Sequence, residues 1–190
     1  MTSGQDRTCG HRSRSLARFT PVVLIVTAAL AGCGQAGDGT PPAPLALSVS
    51  SGAFNQNILP QRYTCHGSGI NPPLDWSGAP PGTKSFALVV DDSSAPITPY
   101  IYWLVFDIGP GTTDIQEGGL PTGARQAQNS AGYMSYDPPC PSGHPHMYRF
   151  TVYALNSELN LPNDASLPKV LSEIAADSIA RGRKVVTGYP

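Results

Sequence analysis

The sequence predicts a mostly β fold of the sandwich type, with one helix near its C-terminus and long loops rich in Pro and Gly. Three observations carry that expectation. First, only 13% of the 190 residues are charged while 40% are hydrophobic, about half the usual charged share but ample apolar content for a packed core. Second, the chain holds 20 Gly and 20 Pro, too many for long helical bundles or coiled coils, whose interiors these residues disrupt. Third, the turn signals Asn71-Pro-Pro, Ala79-Pro-Pro-Gly82, Ile108-Gly-Pro-Gly111 and Asp137-Pro-Pro-Cys-Pro-Ser-Gly143 separate short apolar runs at the spacing of a sandwich.

The runs between those turns read as strands. Leu45 to Val49 alternates apolar and polar residues, as a strand buried on one face does. Ser85 to Asp91 and Tyr100 to Phe106 are denser runs bounded by Pro and Asp, the pattern of strands covered on both faces. Tyr148 to Leu155 sets Tyr148, Phe150, Val152 and Ala154 on one side and Arg149, Thr151, Tyr153 and Leu155 on the other. Lys184 to Thr187 reads as a short last strand. Leu167, Val170, Leu171, Ile174 and Ile179 recur at helical spacing after Ser166, an expected N-cap, with Arg181, Arg183 and Lys184 beyond the C-terminal end.

The N-terminus reads as an address. Residues 1–18 hold Arg7, Arg12, Arg14 and Arg18 against Asp6, and the apolar stretch Pro21 to Leu30 follows. That stretch is short of the roughly twenty residues a spanning helix needs, and the order of basic, apolar and small residues is that of a secretory signal peptide. It closes on Leu30-Ala-Gly-Cys33, which resembles the lipobox of bacterial lipoproteins. The resemblance implies cleavage before Cys33 and acylation of Cys33, since two or more chains anchor a protein stably where one is marginal. Residues 34–44 lack any large apolar side chain and read as a tether. The expected organisation is a signal peptide over 1–32, a lipidated Cys33 with its tether over 33–44, and a domain over 45–190 on the extracytoplasmic face of the cell membrane. Beyond residue 18 the chain holds 8 basic and 12 acidic residues, which gives no basic patch for nucleic acid.

Of four cysteines, Cys9 falls in the signal peptide and Cys33 in the lipobox. Cys65 and Cys140 remain for the exported domain, where an isolated pair most often forms a disulfide. Free buried thiols are one alternative. A metal site with His66, His144 and His146 is the other, disfavoured because no Cys-x-x-Cys pair is present. Ionisable residues concentrate in Asp91-Asp92-Ser-Ser-Ala-Pro96 and Pro141-Ser-Gly-His144-Pro-His146-Met-Tyr148, beside strand ends, where binding groups commonly sit.

Five segments in order from Tyr63 to Leu155 resemble the bacterial branch of the phosphatidylethanolamine-binding proteins, also called Raf-kinase-inhibitor-like proteins. They are Tyr63-Thr-Cys-His-Gly67, Asn71-Pro-Pro-Leu-Asp-Trp76, Lys84-Ser-Phe-Ala-Leu-Val-Val-Asp-Asp92 with Tyr102-Trp103, Tyr136-Asp-Pro-Pro-Cys-Pro141, and His146-Met-Tyr148 with the strand after it. The resemblance implies a β-sandwich whose small pocket takes a phosphate-like anion or a phospholipid headgroup. Its pocket positions map to Asp92, Ser94, Tyr102, His146 and Tyr148, with Pro139 in a wall. The chain departs from the family where Ser93 and Ser94 replace Pro and Asp, Tyr102 replaces His and Met147 replaces Arg. With two cationic groups gone, the expected ligand is a weakly held anion or a neutral polar group, because a charged partner contributes roughly 1.5–3 kcal/mol against 0.5–1.5 for a neutral donor. The leading expectation is therefore a non-enzymatic, lipid-anchored binding protein without cofactor or metal, acting on a small ligand or a protein partner. An envelope scaffold with a vestigial pocket is the alternative. A hydrolase or protease inhibitor is less favoured, because no Gly-x-Ser-x-Gly elbow is present.

Overall fold

The computed structural model describes Pro44 and residues 46–95, 97–162 and 164–190. The expectations for the signal peptide, Cys33 and nearly all of the tether lie outside the described residues. Among the described residues eight strands form two sheets, neither closed into a barrel. The first sheet has the order β1 (Ser48–Ser50), β2 (Leu74–Ser77), β5 (Asp114–Ile115). The second has the order β6 (Arg125–Gln126), β4 (Ile101–Ile108), β3 (Ser85–Asp92), β7 (His146–Leu155), β8 (Ser178–Gly188). All pairings within both sheets are antiparallel.

The dense apolar runs occupy the middle of the larger sheet, as expected. Every residue of β3 is buried, because one face meets the smaller sheet and the other meets α1 (Leu167–Asp177). Phe86, Leu88 and Val90 join Trp76, Trp103, Val105, Phe150 and Val152 in the core between the sheets. Ala87 and Val89 join Leu104, Phe106, Val170 and Ile174 on the helix side. The alternation of side chains along a strand is what lets one run feed two cores.

The C-terminal segment corrects three expectations. The helix ends at Asp177, so Ile179 is not helical, and Arg181, Arg183 and Lys184 lie within a strand. Lys184 to Thr187 is only part of β8, which runs for 11 residues. Ser166 occupies the N-cap position without a side-chain hydrogen bond to the helix. Pairing with β7 over nearly its whole length decides the matter, from His146 opposite Gly188 to Leu155 opposite Ser178. Each added pair contributes ladder bonds and cross-strand contacts that a further helical turn would forfeit. Gly182 is required there, since a Cβ would collide with the Leu47 carbonyl oxygen.

Candidate ligand site at the end of the central strands

Antiparallel pairing of β3 with β7 sets Asp92 opposite Tyr148. Both residues have the parity of Val90 and Phe150, which face the inter-sheet core. His146, two residues earlier, follows on the same face of β7. Asp92 is 4% exposed, and its Oδ2 lies 2.7 Å from His146 Nδ1. Asp92 Oδ1 accepts the Ser94 N–H at 2.7 Å. An ionised carboxylate can only accept, so Nδ1 is the donor in this contact.

The loop after β3 is tied to β7 through Met147. Ser94 Oγ accepts the Met147 N–H at 2.9 Å, while the Ser93 N–H and Oγ both donate to the Met147 carbonyl, each at 2.9 Å. Both hydroxyls are therefore engaged with backbone. The Met147 side chain is half exposed.

Tyr102 reaches the same site by an irregularity. Val90 pairs with Trp103, but Asp91 pairs with Ile101, so Tyr102 is an extra residue opposite a register shift. Trp103 belongs to the inter-sheet core and Ile101 to the helix-side core. Tyr102 packs with the inter-sheet core too, whereas strict alternation would turn it away from Trp103. Bulges next to binding sites commonly re-aim a side chain in this way. The Tyr102 and Tyr148 rings meet edge to face with centroids 5.5 Å apart, and the His146 ring lies parallel to that of Tyr148 at 6.2 Å.

Tyr148 is fully buried, and its hydroxyl has no hydrogen-bond partner among the described residues. The Tyr102 hydroxyl is near enough to act on it both by charge and as a weak hydrogen-bonding neighbour, without reaching full hydrogen-bond geometry. Burial, then the charges of Asp92 and Asp137, push the Tyr102 phenol up to about 12. Burial, followed by Tyr102 and Asp92, raises Tyr148 as well. Both phenols are thus neutral hydrogen-bond donors at ordinary pH.

Two groups at the site, Tyr100 and Asp137, were missed in the sequence. The Tyr100 hydroxyl donates to Asp137 Oδ2 at 2.7 Å, and the Tyr100 ring packs on Tyr102 at 4.6 Å. His144 places its ring 4.6 Å from that of His146. The position of Asp137 beside Tyr136 in the Pro-rich segment was the available signal. On the other face of the sheet, Arg149 Nε donates to Asp91 Oδ1 at 3.2 Å and Oδ2 at 2.9 Å, and Nη2 also contacts Oδ2. Asp91 therefore turns away from the candidate site.

Pro139 is buried and tied to the disulfide segment, its carbonyl accepting the Cys65 N–H at 3.0 Å. Pro141 comes closer to the site: a Cβ on Gly188 would lie 2.6 Å from Tyr148 Cε2 and 3.5 Å from Pro141 Cγ. Cys65 and Cys140 are joined in a disulfide with a Cα–Cα separation of 5.2 Å. Their sulfurs and a His66 nitrogen lie within 4.8 Å of one another, but sulfurs bonded to each other are not thiolate ligands. His144 and His146 stand outside that group. Among the described residues no helix is long and apolar enough to cross a membrane.

Residues 49–189 match the phosphatidylethanolamine-binding protein family. The chain belongs to that family. Among its relatives, a UPF0098 protein of Methanothermobacter thermautotrophicus is 37% identical over 145 residues, covering 73% of this chain and 96% of that protein. A candidate lipoprotein of Mycobacterium tuberculosis, LppC, is 35% identical over 185 residues, covering 86% of this chain and 92% of its own. Two crystal structures superpose with a TM-score of 0.70. CT736 of Chlamydia trachomatis, a candidate homologue of the family, is 32% identical and covered to 97%. E. coli YbcL, described as a member of the mammalian family, is 30% identical and covered to 99%. Each superposition spans 76% of this chain.

Proposed function

We propose that this protein is a non-enzymatic, lipid-anchored binding protein of the extracytoplasmic membrane face, holding a small polar or phosphate-like headgroup at Asp92, Ser94, Tyr102, His146 and Tyr148. The observation that carries this reading is the Tyr148 hydroxyl, fully buried and without a hydrogen-bond partner among the described residues, beside the Asp92–His146 pair. A buried hydroxyl left unpaired costs about 1–3 kcal/mol, and a ligand oxygen or nitrogen arriving at the site removes that cost. Sequence supports the anchor, through the lipobox-like segment ending at Cys33, and LppC is a relative named as a lipoprotein. A serine nucleophile is disfavoured, because Ser93 Oγ donates to the Met147 carbonyl, Ser94 Oγ accepts from its N–H, and His146 pairs with Asp92 rather than with either hydroxyl.

The test is a titration of the full chain with inorganic phosphate, phosphoethanolamine, glycerophosphoethanolamine and ethanolamine, followed at the His146 imidazole resonances. Saturable shifts with any of them, weakened by Tyr148→Phe, are expected. No shift with the whole panel refutes the binding reading.

A second reading, an envelope scaffold, is favoured by apolar side chains left exposed near the site, with Ile97 at 93% and Met147 at 50%. It requires that partner capture survive Tyr148→Phe and His146→Ala but fail on Ile97→Asp.

A further inference from the structure

The corner where the Cys65 and Cys140 segments meet holds chemistry that the candidate ligand site does not use. Cys65, His66 and Cys140 are all exposed, and the two sulfurs and a His66 nitrogen lie within 4.8 Å of one another. Among the described residues this is the one group of three His, Cys, Asp or Glu side chains whose donor atoms converge so closely. While the sulfurs are bonded to each other they hold no ion, because the metal ligand is the thiolate. An exposed disulfide is open to attack by an external thiolate, and exposure marks the labile disulfides rather than the structural ones.

The two segments are held together by bonds that survive reduction. The Cys65 N–H donates to the Pro139 carbonyl at 3.0 Å, and the Tyr136 hydroxyl donates to the Tyr63 carbonyl at 2.9 Å. Thr64 Oγ1 accepts the His66 N–H at 3.2 Å and donates to the Gln61 carbonyl at 2.8 Å, which fixes the backbone that carries the imidazole. Pro139 and Pro141, on either side of Cys140, are buried. The cysteine Cα atoms, 5.2 Å apart, therefore stay close once the sulfurs part. Zinc sits about 2.3 Å from a thiolate sulfur and about 2.0–2.1 Å from an imidazole nitrogen, which sets tetrahedral donors roughly 3.5–3.8 Å apart. Donors already within 4.8 Å of one another reach that spacing by side-chain rotation.

We propose that Cys65, Cys140 and His66 form a redox-gated site for a thiophilic metal ion, Zn²⁺ or Cu⁺, shut by the disulfide and opened by a dithiol. In the opening step the dithiol is oxidised to its own disulfide, and the Cys65–Cys140 bond breaks as each sulfur takes one electron and one proton. The incoming ion then displaces both thiol protons and binds two thiolates and the neutral imidazole. Thiolate and imidazole donors favour these ions over Mg²⁺ or Ca²⁺. Three protein ligands leave a further position on zinc for water, and the exposure of all three residues keeps the ion exchangeable.

The test uses the full chain carrying Cys9→Ser and Cys33→Ser, so that of its four cysteines only Cys65 and Cys140 can appear as thiols. The protein is reduced with dithiothreitol, freed of reductant without air, and titrated with Zn²⁺, with Co²⁺ as a spectroscopic probe, and with Cu⁺ against a chromophoric chelator. Near-ultraviolet circular dichroism follows the packing throughout. The reduced chain should show two titratable thiols, keep its dichroism, bind one ion and develop thiolate-to-cobalt charge-transfer absorption, while the oxidised chain binds none. His66→Ala should weaken binding by at least about tenfold, the smaller of the losses seen even when a ligand's supporting partner is removed. His144→Ala, outside the group, should leave it unchanged.

Tighter binding of Zn²⁺ or of Cu⁺ assigns the ion, and either result supports the inference. It is overturned if the thiols appear only in denaturant, or if reduction abolishes the dichroism and neither ion restores it. Metal binding that is the same before and after reduction, or indifferent to His66→Ala, overturns it as well.

Discussion

Replacing Tyr148 by Phe should make the unliganded protein more stable. The ring of Tyr148 is fully buried and packs edge to face on Tyr102 at 5.5 Å, parallel to His146 at 6.2 Å and close over Gly188. Phe retains all of those contacts. What it deletes is a buried hydroxyl with no hydrogen-bond partner among the described residues, whose desolvation costs about 1–3 kcal/mol. The expected gain is therefore about 1–3 kcal/mol in urea unfolding at unchanged m, or roughly 2–12 °C in Tm at about 2–4 °C per kcal/mol for a domain of this size. Tyr136→Phe supplies the opposite case with the same chemical change. Its hydroxyl donates to the Tyr63 carbonyl at 2.9 Å, so its loss should cost about 0.5–1.5 kcal/mol. Ligand should narrow the gap at position 148, because the bound wild type gives its hydroxyl a partner that Phe cannot use. A Tyr148→Phe variant destabilised by about 1 kcal/mol or more without ligand would refute the reasoning, since it would mean that the hydroxyl is already satisfied.

Other expectations follow from the same contacts. Replacing Cys65 and Cys140 by Ser releases a sequence separation of 75 residues in the unfolded chain and should cost about 4 kcal/mol. Both cysteines are exposed, so little native packing is lost, and a decrease below about 1 kcal/mol would show that the bond does not constrain the unfolded state. Tyr63 and Tyr102 are both raised to about 12, by burial first and then by Glu117 for Tyr63 and by Asp92 and Asp137 for Tyr102. An absorbance titration at alkaline pH should find two phenols ionising well after the ordinary ones near about 10. Because their folded-state values lie above the unfolded one, their contribution to stability is whole below about pH 10 and is lost as pH rises towards 12. Stability that stays flat through that window contradicts the assignment. Gly182→Ala should destabilise by several kcal/mol, since its Cβ meets backbone at Leu47 rather than a movable side chain; a loss under about 1 kcal/mol means that β1 can shift at no great cost.

Much of the larger sheet was legible because its residues answer to local rules. Ser85–Asp92 is a dense apolar run without Pro or Gly, and such a run has few options besides a strand covered on both faces. The helix was legible at its start and lost at its end. Ile179 continues the helical spacing of Val170 and Ile174, yet it belongs to β8. Local periodicity cannot report that the partner strand β7 waits for it. The short strands Asp114–Ile115 and Arg125–Gln126 were not anticipated, because two residues carry no period to read.

By itself the sequence determined the family and the strand-rich class, and it put forward the candidate site residues, since Asp92, Ser94, His146 and Tyr148 stand in ordered motifs beside strand ends. Tertiary structure decided how those residues face one another. The register of β3 against β7 sets Asp92 opposite Tyr148, and the shift between Val90 and Asp91 turns Tyr102 onto the same side as Trp103. The pairing of Tyr100 with Asp137 joins residues 37 positions apart. A pattern of alternation read along one strand contains no term for a neighbour's register. For that reason the chemistry of each residue was visible in the chain, while the aromatic and acidic character of the site came only from the fold.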